Sequence, residues 1–103
     1  MLTEKEIKKF NALTGADDKR LAIIFKALSD PKRCRIYRLL LKKSELRTSD
    51  IARIMKISLP SVSQHLKILE ITGLLNKEKK GRTILFKINK EDQIVSALIK
   101  AVL

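Results

Sequence analysis

Of the side chains best able to make or break a bond, the sequence has one cysteine, Cys34, and one histidine, His65. A lone cysteine closes no intrachain disulfide and joins no cysteine cluster around a metal. Cys34 stands with Tyr37 and Leu41 at i, i+3 and i+7, the spacing of one helix face, and reads as a buried small hydrophobe. Arg33 and Arg35 beside it leave a redox-responsive thiol as the alternative. His65 has no acid, cysteine or second histidine placed to work with it, which points to a structural or phosphate-contacting ring. None of the three glycines belongs to a phosphate-cradling pattern, and no GKS or GKT occurs. With no paired acids in an enclosed site and no nucleophile beside a base, an enzyme is not expected; no catalytic residue, metal ligand or cofactor is assigned.

Chemistry of another kind is carried by "SLPSVSQHLKILEITGLL", residues 58–75. Ser58 is placed to cap a helix, Pro60 is tolerated in its first turn, and Val62, Leu66 and Leu69 recur at helical spacing before Gly73 ends the run. At about 100° per residue Gln64 lies nearly opposite Val62 and Leu69, with Ser61 and Lys67 on either side and Ser63 nearer the edge. A solvated helix face usually mixes Glu and Lys, whereas small hydroxyls and an amide suit close approach to base edges.

The charge supports a polyanionic partner. The net charge is +12, from 23 Lys and Arg against 11 Asp and Glu, and the pI is near 10.2. Residues 32–87 hold 15 basic and 4 acidic side chains, while residues 1–31 and 88–103 are nearly neutral. The middle is therefore expected to bind polyanion and the ends to do something else.

The elements that must position these residues follow from local signals. Thr3 and Glu6 resemble a capping box for a short helix carrying Ile7 and Phe10, closed by Thr14-Gly15. Asp17 or Asp18 caps a second, with Leu21, Ile24, Phe25 and Leu28 on one face. Asp30 and Pro31 start a central helix to about Lys43, with Arg35, Arg38 and Lys42 along one stripe. Thr48 can cap a helix through about Lys56 with Ile51, Ala52 and Met55 inward, and only Ile57 and Ser58 separate it from the next, a helix-turn-helix. Alternation in "LLNKEKKGRTILFKI" puts Ile84, Phe86 and Ile88 on one face of a strand, with Gly81 in the turn of a basic hairpin. Asn89 can cap a last helix whose Ile94, Val95, Leu98, Ile99 and Val102 are too apolar to be left in water. The expected fold is mainly α with a small β-hairpin, in the order α-α-α-α-α-β-β-α, forming a single domain over residues 1–103.

At "IFKALSDPKRCRIYRLL", "SVSQHLKILEITGLL" and "GRTILFKI" the chain resembles the ArsR/SmtB family of winged helix-turn-helix transcriptional repressors, over about residues 21–100. The resemblance implies a homodimer joined through the first and last helices, with the second helix of the motif in the major groove. Carried over by position, it implies DNA contacts at Pro60, Ser61, Ser63 and Gln64. Leu59 stands where relatives often have glutamine, and either touches a thymine methyl or packs. Many members sense metals through two cysteines one residue apart; the matching stretch "ELRTSD" has Arg47 and Ser49 there, so zinc or arsenite loses its thiolates. Other members use histidines and carboxylates on the last helix, which here has no histidine; Glu91 and Asp92 read as charges complementing the helix dipole.

These readings converge on a sequence-specific regulator of transcription, a homodimeric repressor on an inverted-repeat operator of double-stranded DNA. Lys67 on the helix and Lys77, Lys79, Lys80 and Arg82 on the hairpin are its expected backbone contacts. The alternative is a weakly specific architectural DNA- or RNA-binding winged helix. No small-molecule effector is named by the sequence. There is no run of about 18 apolar residues to span a membrane, and "MLTEKEIKKF" lacks the apolar stretch of a signal peptide. A cytoplasmic protein with no membrane partner is expected.

Overall fold

The chain runs α1 (Glu4–Thr14), α2 (Asp18–Leu28), α3 (Pro31–Lys42), β1 (Leu46–Arg47), α4 (Thr48–Met55), α5 (Leu59–Ile71), β2 (Leu75–Lys80), β3 (Thr83–Ile88) and α6 (Gln93–Val102). This is seen in a computed structural model that describes residues 1–14 and 18–102. Gly15 and Asp17, expected to close α1 and to cap α2, lie outside the described residues. So do the side chains of Thr14 and Val102.

The local signals act as their chemistry requires. Thr3 and Glu6 form the capping box: the Glu6 N–H donates to Thr3 Oγ1 and the Thr3 N–H to Glu6 Oε1, at 3.2 and 3.1 Å. Asp30 caps α3 by accepting the Lys32 and Arg33 N–H groups, with Pro31 at the first position, where its missing N–H costs nothing. Ser58 caps α5 through the Ser61 N–H. At the other end of α5, the Leu74 N–H reaches Leu69 O and the Gly73 N–H reaches Glu70 O. Gly73 has φ +83 and both Leu69 and Leu74 are buried, a complete Schellman motif.

Two caps differ from expectation. The N-cap of α4 is Arg47, and Thr48 is the first helical residue; Asp50 three positions on accepts the Arg47 N–H at 3.2 Å. Asn89 does not cap α6. Its Nδ2 donates to Gly73 O and its Oδ1, the atom a cap would use, accepts the Glu91 N–H at 3.2 Å, while Asp92 caps α6 by accepting the Ile94 and Val95 N–H groups at 2.9 and 3.3 Å. A strand the sequence did not announce, β1, pairs Leu46 with Phe86 and Arg47 with Leu85, so the sheet has three antiparallel strands in the order β1-β3-β2.

Ile36, Tyr37 and Leu40 of α3, Ile51, Ala52 and Met55 of α4, and Val62, Leu66 and Leu69 of α5 close on one core with Ile24, Leu46, Leu74, Leu75, Phe86, Ile88 and Val95. The basic middle of the sequence supplies most of it. The ends do not share it equally. Every residue from Met1 to Leu13 is exposed, and on α2 Phe25, which the spacing puts on one face with Ile24, is exposed together with Ile23. The radius of gyration is 16.9 Å and the long axis 58 Å, against 26 and 23 Å for the others. A compact chain of this length would have a radius near 13 Å, so the exposed first helix extends from the body.

Candidate nucleic-acid interface

The core face of α5 fixes what its other face can do. With Val62, Leu66 and Leu69 fully buried, Pro60, Ser63, Gln64 and Lys67 are exposed and Ser61 is half-exposed. All five sequence-selected positions therefore share the outer side of the helix or its rim. Leu59, 52% exposed, stands at the edge of the same surface rather than in the core.

The hairpin is brought beside this helix. Ser63, Lys67 and Glu70 of α5 line one groove with Lys77, Ile84 and Phe86 of the hairpin. The register, Lys77↔Phe86 and Lys79↔Ile84, puts both lysines on the face that carries Phe86. Ile84 shares that face with Phe86 and Ile88 as its alternation requires, but is 42% exposed, because the hairpin runs out past the body before it turns. Gly81, φ +62, is the first central residue of the two-residue turn between Lys80 and Thr83, a position that needs positive φ; Arg82 follows at the tip.

Lys80 is separated from this group. It alternates to the opposite face, where it pairs with Glu45 at 3.2 Å, while Lys87 pairs with Glu78. The Lys87 ammonium, donating to Glu78, holds that carboxyl below the usual range, and the same bond raises Lys87. The outer face of the hairpin is thus neutralised. Among the described residues Lys67, Lys77, Lys79 and Arg82 have no ion-pair partner, so their charge is available to a ligand.

His65 turns inward: it is half-buried, and its Nδ1 is enclosed without a hydrogen-bond partner, as is Tyr37 Oη. Cys34 is a free thiol, half-buried rather than fully buried. No group of three His, Cys, Asp or Glu gathers among the described residues. Arg47, at one of the thiolate positions of metal-sensing relatives, is held by its own neighbour, donating from Nε to Asp50 at 3.1 Å. No described helix is long and apolar enough to cross a membrane.

One residue that sequence reasoning missed ties this helix to the rest. Arg20 of α2 donates from Nη1 to Thr72 O at the end of α5 and from Nη2 to Asp92 Oδ2 at the start of α6, 3.2 Å away. Its partners lie 52 and 72 residues along the chain, beyond any local pattern.

A winged helix-turn-helix is the class that this architecture defines, and comparison with known proteins places it within that class. The family model described as "Bacterial regulatory protein, arsR family" matches residues 30–77. The transcriptional repressor SdpR of Bacillus subtilis is 41% identical over 66 residues, which is 64% of this chain and 72% of SdpR. The arsenic resistance transcriptional regulator ArsR1 of Pseudomonas putida is 32% identical over 81 residues; the match takes in 78% of this chain but 63% of that protein. Among solved structures, HlyU from Vibrio cholerae superposes with a TM-score of 0.75 at 25% identity, over 86% of this chain and 94% of that one. The chain belongs to the ArsR family of transcriptional regulators, in agreement with the expectation that it is not an enzyme.

Proposed function

We propose that the chain is a homodimeric repressor that reads an inverted-repeat operator in double-stranded DNA through Ser61, Ser63 and Gln64. Pro60 sets the approach of the helix to the groove, and Lys67, Lys77, Lys79 and Arg82 hold phosphates. The observation that carries this reading is the one-sidedness of the head: an exposed, uncharged edge of α5 lies beside the only hairpin face whose lysines are unpaired among the described residues. Lys80, taken from the sequence as a further contact, is occupied by Glu45 and contributes least.

Dimerisation is supported by the exposed Ile7, Phe10, Ile23 and Phe25 and by the partly buried Ile94 and Leu98, apolar side chains on nearly neutral segments. One small winged helix rarely supplies enough affinity alone, and two copies give two half-sites. Arg47 and Ser49 offer neither thiolate nor imidazole, so the repressor works without the cysteine metal site of ArsR-type sensors. Such a protein acts in the cytoplasm, where its DNA is.

Selection of bound duplexes from a random pool tests this. An enriched inverted repeat, preferred over random DNA by about 10³-fold or more, supports the reading. Binding without enrichment, with a steep salt dependence, would make the protein an architectural winged helix instead.

A further inference from the structure

We propose that Arg20 is a positioning residue for DNA reading: its guanidinium fixes the angle between α5 and the α2 and α6 faces through which two copies meet, and so sets how far apart the two reading heads stand. This rests on the dimeric, operator-reading function proposed above.

The contacts are specific in chemistry as well as geometry. Thr72 O belongs to the C-cap of α5, the end where carbonyls are left without helical partners and where the helix dipole favours a cation. Asp92 uses its two oxygens for two tasks. Oδ1 accepts the N–H groups that begin α6, and Oδ2 takes Arg20. One planar fork therefore joins the end of the reading helix, the start of α6 and, through its own stem, α2. A Cβ on residue 73 would lie 2.6 Å from Arg20 Nη2, so the glycine that ends α5 also leaves the room the guanidinium occupies. Among the described residues Arg20–Asp92 is the one ion pair that links two helices; the others are local in sequence or lie at the sheet.

The clamp sits where leverage is greatest. Among the described residues of α6 Val95 is fully buried and Ile94, Leu98 and Ile99 pack partly buried against the core, so apolar contact seats the helix and the Arg20–Asp92 pair ties its first turn to α2 and to the end of α5. The 13 residues of α5 span about 20 Å, and a tilt of roughly 10° about its C-terminal end would carry its N-terminal turn sideways by about 3 Å. In one head such a shift is absorbed by docking. In a dimer bound to two half-sites it changes the spacing that both heads must match together.

The test measures Arg20→Met, which keeps the apolar stem, and Arg20→Lys, which keeps the charge but cannot bridge both acceptors. Each is compared with wild type by fluorescence anisotropy on three duplexes: the selected inverted repeat, the same repeat with one half-site scrambled, and the repeat with one base pair inserted between half-sites. Sedimentation verifies the dimer and circular dichroism the fold. The expected result is a loss of about tenfold on the intact repeat, unchanged affinity for the single half-site, and a smaller penalty for the inserted base pair than wild type shows. Lysine should not restore wild-type behaviour. Equal loss on intact and half-site duplexes, wild-type affinity throughout, or full rescue by lysine would each overturn the proposal. If Arg20→Met does not fold, Arg20→Lys is read by the same criteria. A wild type that shows no preference for the intact repeat over one half-site defeats the dimeric reading itself; a wild type that shows it while both variants match wild type on all three duplexes defeats only the role given to Arg20.

Discussion

Gln64 presents a primary amide on the exposed side of α5, where one donor and one acceptor can pair with the major-groove edge of adenine. Gln64→Ala should therefore cost about 1–3 kcal/mol on the preferred operator and little on random DNA. Equal loss on both in an anisotropy titration would make it a backbone contact. Asp30 supports a prediction about pH. By accepting the Arg33 N–H, and with Lys32 and nearby cations acting the same way against the cost of burial, its carboxyl is held below the ordinary 3.8. A depressed folded value stabilises the protein above the unfolded value, and the contribution is lost as pH falls through the folded one. Thermal melts of Asp30→Asn should accordingly show a shallower fall below about pH 4 than wild type, because the other carboxylates titrate alike in both proteins. Ser63 and Gln64 are legible in the sequence because their outward phase follows from Val62, Leu66 and Leu69, three residues that water rejects. Arg20 is not, since nothing local distinguishes an arginine that will meet a carbonyl 52 residues away from one that will meet solvent.

Lys56 forms the hinge of the helix-turn-helix, closing α4 in the left-handed region at φ 57 and ψ 45, the one non-glycine among the described residues with positive φ. A side chain there crowds the following carbonyl, so Lys56→Gly should raise stability by about 1 kcal/mol in denaturant titration even as a cation is removed. The hairpin gives the complementary case of an element whose value lies outside folding. Arg82 at the tip is exposed, and Arg82→Ala should leave the melting temperature unchanged. It should weaken every duplex by a similar factor and lower the salt slope by roughly one unit for each phosphate that Arg82 neutralises; an unchanged slope across a salt series would return the tip to solvent. Most elements were readable because caps, Pro31, Gly73 and Gly81 mark their ends. The two-residue β1 was not, being too short for any alternation to register, and it exists because β3 offers it an edge. The start of α6 was misplaced for a related reason. Asn89 and Asp92 are both good caps, and only the fold shows the Asn89 Oδ1 taken by the Glu91 N–H ahead of the helix.

For the whole molecule, the uneven distribution of apolar surface decides the assembly. Phe25 is 57% exposed and Ile23 49%, on a helix whose opposite side is buried. Phe25→Glu should leave the core intact and give a monomer in sedimentation at micromolar concentration, with affinity for the intact repeat falling to that of a single half-site. A persistent dimer would place the interface elsewhere. The proposed division follows the charge in the sequence, where nearly neutral ends flank a basic middle. The sequence did not show that the first helix is exposed from Glu4 to Leu13. Because α1 is exposed from Glu4 to Leu13, a single copy presents a solvent-lapped helix with an oily flank of Ile7, Phe10 and Leu13. Proteases act on segments that are open and chaperones on surfaces that are apolar. If the proposed dimer covers that flank, the lifetime of the chain in the cell depends on how soon it finds its counterpart, and the abundance of the regulator acquires a threshold that its DNA site does not encode.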